Sequence, residues 1–551
     1  MSRIFIFLTL LLASPLNAAD TPEAAVDKLL DRIVEIEKTF LESIRSRTPL
    51  IETYIQETPD SAEAAARPGK DHYFLGRLRL AGTVYYQPLV ERTEAEPAHA
   101  PPKMASRLRL RPAVPRSRPL SFLPRGFAQM AVIDLHDFSR ATYSFEFVRR
   151  EFLGEVRCLV FDVAPLNRQQ PGKFLGRMWV EDRGNAIVRF NGTYVPLPVP
   201  KGAIPELYFH FDSWRVNTNG AEWLPAQIYI EEEGGSPQVS AVTPRFKAQS
   251  RIWGYVAARP NRLDELTSIL IESATPVNDQ EAPKDISPLE SQRSWERQAE
   301  ENVLARLEKG GFLAPAGPVD EVLNTVVNNL LVSAKLAVEA RCRVLLTTPM
   351  ETFVVGNTIV ISRGLIDVLP DEASLALALA GELSHIALGH RAQTQFAFTN
   401  QTMLSDPELL QRFRFRRSTE EMLAASKKTI EIMRASPYQK TANAGLFLKA
   451  LEAHRAALPR LLQANLGDQV ADPDALRQLE EFAASAPALE EDKLEQIAAL
   501  PLGSRVKLNP WTNAIELVKT RPLALLSPRE KMPFAVTPFV LYLTRAAPAM
   551  K

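Results

Sequence analysis

The chain has 551 residues with 65 basic and 65 acidic side chains, a formal net charge of zero, and 46% hydrophobic residues. That balance excludes an intrinsically disordered chain and offers no electrostatic basis for binding nucleic acid or an anionic membrane surface. Its 2 cysteines exclude a cysteine-rich zinc site.

Residues 1–19 read as an export signal. Arg3 gives a short positive region, Ile4 to Ala13 an apolar run too short to span a bilayer, and Asn17-Ala18-Ala19 small residues for cleavage. An uncleaved N-terminal anchor is the alternative. No later stretch reaches the ~18 unbroken apolar residues of a spanning helix. The expectation is an exported protein, periplasmic or secreted, without a transmembrane span. Cys158 and Cys342 both lie in alternating apolar runs, so a disulfide and two buried thiols are both open.

Thr21-Pro22-Glu23 is a helix start, with a capping hydroxyl and proline at the first helical position. Val26, Leu29, Leu30, Ile33, Phe40, Leu41 and Ile44 then recur at helical spacing. From about Tyr73 to Glu272 the period changes to two: Tyr143, Phe145, Phe147, then Val156, Cys158, Val160. Arg183-Gly184-Asn185 marks a hairpin between two such runs. These strands predict a curved antiparallel sheet or half-barrel with the helix against it.

Several strand motifs here carry a resemblance: Phe161-Asp162-Val163-Ala164-Pro165, Phe174 to Val180, Ile187 to Phe190, and Trp223-Leu224-Pro225. They resemble periplasmic lipoprotein-carrier-like domains, which implies a sheet with an apolar concave face able to hold an acyl or lipid ligand. One insertion departs from the pattern. Pro97 to Arg125 is proline-rich and carries seven basic residues from Lys103 to Arg125, which suits either a docking loop for an anionic partner or a solvated loop.

Thr275 to Ser291 is polar and punctuated by proline, as a linker is. Helical patterns follow at Trp295 to Lys309 and Val319 to Leu336. Next come an apolar strand, Arg343 to Thr348, and a hairpin, Phe353-Val354-Val355 and Thr358-Ile359-Val360-Ile361, about Gly356-Asn357. Asp371 is placed to cap a helix that is apolar nearly all round and therefore buried. Glu382, Ser384 and His385 sit inside it, and buried polar groups of this kind need partners.

Ser362 to Leu369, and Leu379-Ala380-Gly381-Glu382-Leu383-Ser384-His385-Ile386-Ala387-Leu388-Gly389-His390, resemble the lead-in and zinc helix of metallopeptidase family 48, the gluzincins. The working motif is His-Glu-x-x-His: two imidazoles one turn apart hold zinc, and the glutamate activates its water. Here the first position is Gly381, Glu382 keeps the water-activating position, and His385 is the one retained ligand position. Aligning Lys427 to Met433 and Tyr438 with the family puts the third ligand, a glutamate, on Ala424, and a companion aspartate on Ser426.

Structural zinc is worth ~10–16 kcal/mol over four ligands, so losing two posts costs ~6–8 kcal/mol, or ~10⁴–10⁶ in affinity. No metal or cofactor is therefore expected, unless Glu420, Glu421 or His390 rebuilds a zinc site. His390 lies about 140° around an ideal helix from His385, a poor position for the vacant post.

The whole reads as a multidomain α+β protein. Its parts are a signal peptide, 1–19; a helix plus carrier-like β domain, 20–274; a linker, 275–298; a mainly helical metallopeptidase-like domain with a small sheet, 299–460; and a helical or irregular extension, 461–551. Three functions fit. The first is an inactive pseudopeptidase that binds peptide or protein by strand addition at Phe353, Val354, Val355, Ile359 and Ile361. The second is an active zinc endopeptidase with rebuilt ligands. The third is a carrier of lipid or lipoprotein through the N-terminal domain.

Overall fold

The computed structural model describes residues 22–58, 70–90, 122, 124–195, 209–217, 222–232, 245–255, 288–391, 412–440, 443–470, 473–490, 506–518, 534–539 and 541–545. The export-signal residues and most of the basic insertion lie outside these. Among the described residues, no helix is long and apolar enough to cross a membrane.

Helix α1 (Pro22–Arg45) begins at the proline and buries Leu30, Ile33, Leu41 and Ile44 at helical spacing. Ten strands follow: β1 (Leu50–Thr58), β2 (Lys70–Leu80), β3 (Val84–Pro88), β4 (Tyr143–Leu153), β5 (Val156–Pro165), β6 (Phe174–Glu181), β7 (Ile187–Tyr194), β8 (Phe211–Asn217), β9 (Trp223–Glu232) and β10 (Arg245–Trp253). A short helix, α2 (Pro124–Gln129), precedes β4. The strands form one sheet in the order β3-β2-β1-β10-β9-β8-β7-β6-β5-β4. β1 was not foreseen by the two-residue period, which starts the sheet at Tyr73. Its polar residues Glu52, Thr53 and Gln56 are buried along with its apolar ones.

The sheet is covered on both faces. Ile51, Ile55, Phe174, Phe190, Phe211 and Phe246 pack with α1 and with residues 127–133. That face of the sheet is packed with the protein's own side chains. Arg215 binds Glu37 of α1 bidentately at 2.6 and 2.7 Å, with both side chains 1% exposed. On the opposite face Leu50, Tyr54, Leu75 and Trp253 join the core of the C-terminal domain. Farther along that face, Val156, Cys158, Val160, Trp179 and Trp214 are covered by Leu543, whose carbonyl accepts from Glu155 N–H at 2.9 Å. The C-terminal extension therefore covers the β domain as well as the C-terminal domain, where Ile515, Phe534 and Val536 pack.

The C-terminal domain opens with α3 (Pro288–Lys309) and α4 (Pro318–Ser333). Residues 288–298, read from composition as linker, are the first turns of α3. Strands β11 (Arg341–Leu345), β12 (Glu351–Val355) and β13 (Thr358–Ser362) are followed by helices α5 (Arg363–Val368), α6 (Glu372–Ala387), α7 (Thr419–Ala435), α8 (Asn443–His454) and α9 (Pro459–Leu462). A two-residue strand, β14 (Asp468–Gln469), completes a sheet ordered β11-β13-β12-β14. Short helices α10 (Pro473–Gln478) and α11 (Glu480–Ser485) and a hairpin, β15 (Val506–Leu508) and β16 (Ile515–Leu517), follow.

The side chains of the expected peptide-binding edge are buried, and β14 pairs with β12 at Glu351 and Thr352. Phe353, Val354, Val355, Ile359 and Ile361 are at most 1% exposed. Beyond β12 lies β14, Phe415 stacks on Phe353 at 4.6 Å, and the Arg417 guanidinium donates to the Val354 carbonyl. These strands are apolar because they are core. Cys158 and Cys342 are separate buried thiols, each pushed up to about 12 by burial, and no disulfide joins them.

Candidate functional site

Helix α6 is held as its sequence suggests: the Asp371 side chain accepts from Ser374 N–H at 2.9 Å. It lies against β12, α4, α7 and α8. A cavity of about 100 Å³ lies between them, lined by Thr352, Gly381, Glu382 and His385, by Met422, Ala425, Ser426 and Thr429 of α7, by Leu448 and Leu451 of α8, and by Asp468.

Glu382 is 4% exposed. Its Oε1 accepts from the Thr352 hydroxyl at 2.6 Å, while its Oε2 is buried without a partner. Asp468 faces Thr352 across the β12–β14 ladder and is 8% exposed. Its Oδ1 accepts from Arg417 N–H at 2.9 Å, and its Oδ2 is also buried without a partner. Burial, and then the Asp468 charge, push the Glu382 carboxyl up; the Thr352 hydroxyl and Arg417 oppose them. Burial likewise pushes Asp468 up, against Arg417.

A third buried carboxylate positions the pair. Glu351 Oε2 gathers the N–H groups of Leu466 at 2.7 Å and Gly467 at 2.9 Å, which sets the chain entering β14. Burial pushes its carboxyl up to about 7, although those N–H groups favour the charged form.

His385 does not pair with Glu382. Its Nδ1 lies 2.9 Å from Nδ1 of His390. The ideal-helix projection misplaces His390 because the helix has already ended. Gly389 takes φ +74°, Gly389 N–H bonds to Ile386 C=O, and His390 N–H bonds to His385 C=O. This is a Schellman turn, which brings the residue after the glycine back over the third residue from the helix end. Burial, then Arg417, pushes His385 down to about 3, so its ring is neutral.

Two other sequence assignments change. Ala424 is exposed and points away from the cavity, while Met422, Ala425 and Ser426 face it. Ala424 thus stands apart from Glu382 and His385. Glu420 is exposed, and the Glu421 carboxylate accepts from the Ser418 N–H and hydroxyl in a capping box. At Gly381 a Cβ would meet no atom within 4 Å. That post is open space.

The residues present do not fit a gluzincin zinc ion. Gly381 offers no donor, the α7 face offers a thioether, a methyl and a hydroxyl, and one nitrogen of His385 is engaged with His390. Among the described residues no three of His, Cys, Asp and Glu converge as a metal site requires. Sequence reasoning missed Thr352, Glu351, Arg417 and Asp468. Asp468 lies in an irregular stretch with no periodic signal. Glu351 alone carried a hint, as a lone acid at the head of an apolar strand. No protein-family model and no curated protein matches the chain.

Proposed function

We propose that this is an exported pseudopeptidase, a binding protein that keeps the body of a family 48 metallopeptidase and not its zinc chemistry. The observation that carries this reading is Gly381. Where the zinc helix needs an imidazole there is unfilled space beside Glu382, and the glutamate accepts from the Thr352 hydroxyl. The inward face of α7 supports it, since Met422, Ala425 and Ser426 supply no carboxylate. On this reading such a body binds through its cavity.

Elemental analysis of purified protein tests the reading. The expected result is less than a tenth of an equivalent of zinc, with no casein or peptide hydrolysis above that of the Glu382→Gln variant. One equivalent of zinc, together with proteolysis abolished by Glu382→Gln, would overturn it.

A further inference from the structure

We infer that the cavity between α6, α7, α8 and β12 binds a primary ammonium group carried on an aliphatic stem. This rests on the reading that zinc does not occupy the site. The recognition elements are Glu382 Oε2 and Asp468 Oδ2. Each belongs to a side chain more than nine-tenths buried, each lacks a hydrogen-bond partner, and both residues line the same cavity. Two buried carboxyl oxygens without partners are costly in a folded interior, and an ammonium that displaces the proton Glu382 holds when the site is empty supplies N–H donors to them.

The donors nearby are engaged elsewhere. Facing the pair are Arg417, Arg416 on the Asp468 side, and His385, which is neutral. Arg417 donates its backbone N–H to Asp468 Oδ1 and its Nη2 to Val354 C=O, and Arg416 donates its Nη2 to Ala464 C=O, so neither guanidinium donates to the two free oxygens. Glu421, the next acid in range, is occupied by its capping box.

The shape favours an ammonium over a guanidinium. The free oxygens come from two residues on different elements, and they do not form the single planar carboxylate that a guanidinium fork matches. An ammonium is a compact three-donor charge that can reach both. The walls are apolar at Leu377, Leu448 and Leu451, which suits methylene groups. A cavity of about 100 Å³ is smaller than the ~150 Å³ that takes a benzene ring, so it suits a chain of about five heavy atoms. Gly381 is partly exposed with open space beyond it, and it provides the mouth. The chemistry is that of a lysine side chain or a free alkylamine.

The test is titration of the metal-free full chain, followed by calorimetry and thermal shift, with n-butylammonium chloride, Nα-acetyl-lysinamide and the neutral n-butanol. The expected result is saturable binding of at least one cation and none of the alcohol. Affinity falls at least tenfold in Glu382→Gln and in Asp468→Asn. Tighter binding of the lysinamide than of the amine assigns the source to a lysine side chain, and the reverse to a free amine. The Gly381→Leu variant, at a position where an added Cβ meets no atom within 4 Å, plugs the mouth and abolishes binding with the melting temperature kept, so loss of folding is told apart from loss of the site. Equal binding of butanol and butylammonium, or no binding of either cation, overturns the proposal and leaves the zinc-free reading standing. A zinc titration on the same sample separates the two: stoichiometric zinc, lost in His385→Ala, overturns the underlying reading instead.

Discussion

Building a zinc centre into the cavity tests the geometry directly, because the α7 register decides which double variant works. Gly381→His puts an imidazole into space where a Cβ meets nothing within 4 Å. A glutamate is then needed on the cavity-facing side of α7. Met422→Glu and Ala425→Glu place it there, and Ala424→Glu places it on the exposed side. Met422→Glu keeps nearly the same side-chain length, so it needs little repacking. At ~10–16 kcal/mol over four ligands, each restored ligand is worth ~3–4 kcal/mol. That is ~10²–10³ in affinity per post and ~10⁴–10⁶ for both. Competition with a chromophoric chelator reads zinc affinity over this range. Gly381→His alone is expected to gain the smaller factor, and its pairing with Met422→Glu or Ala425→Glu the larger. Pairing with Ala424→Glu should gain nothing beyond Gly381→His. If Ala424→Glu binds zinc as tightly as the better inward pairing, the assignment of α7 faces is wrong.

Three other outcomes follow from buried groups. Glu37→Ala leaves the Arg215 guanidinium buried and uncompensated, which should cost ~3–5 kcal/mol in urea unfolding; a loss under ~1 kcal/mol would mean that water reaches that pair. Above pH 6.5 stability should fall as pH rises toward 8. There Glu351, pushed up to about 7, and Glu382, also raised, still hold protons when folded, while the unfolded chain has lost them. The slope is at most ~1.4 kcal/mol per pH unit for each proton, and Glu382→Gln should flatten it. His385, pushed down, acts in the opposite sense and only below about 6.5, because there the unfolded chain binds the extra proton. A wild-type urea midpoint that does not change between pH 6.5 and 8 would show those carboxyls to be ordinary. Gly389→Ala puts a Cβ on a residue at φ +74° and should cost ~1 kcal/mol, with the imidazole resonances of both His385 and His390 shifted in NMR spectra; an unshifted His385 would mean that the turn does not hold the pair.

Local signals carried much of the architecture. The Asp371 cap, the buried α6, the Gly356 hairpin and the alternation of β4 to β7 follow from nearest-neighbour chemistry, and a sequence exposes that chemistry. Other features failed for a physical reason that recurs. The edge of β12 is covered by Phe415 and Arg417 and by β14, residues far along the chain, and periodicity holds no trace of a distant cover. On α7 one residue of offset rotates a helical position by about 100°, enough to set Ala424 in solvent while Ala425 lines the cavity. The His390 error had a local remedy, since glycine after the last apolar residue is itself the signature of the turn that folds His390 back.

The N-terminal sheet organises the C-terminal cavity through buried acids. Glu52 of β1 accepts from the Thr348 N–H and hydroxyl at 2.6 Å. Asp71 of β2 accepts from the N–H groups of Arg460 at 2.9 Å and Leu461 at 2.7 Å. Met350 N–H then bonds to Leu461 C=O, so the two fastened loops meet immediately before Glu351. Glu351 in turn fixes the turn ahead of Asp468, and Thr352 carries Glu382. The chain of contacts runs from the sheet to both cavity carboxylates through paired backbone groups, and buried backbone groups are costly to leave unpaired. A cavity held this way cannot be treated as the property of the C-terminal domain alone, because removing the sheet would strip the carboxylate acceptors from the N–H groups of Thr348, Arg460 and Leu461 and uncover the core that Leu50, Tyr54 and Trp253 complete.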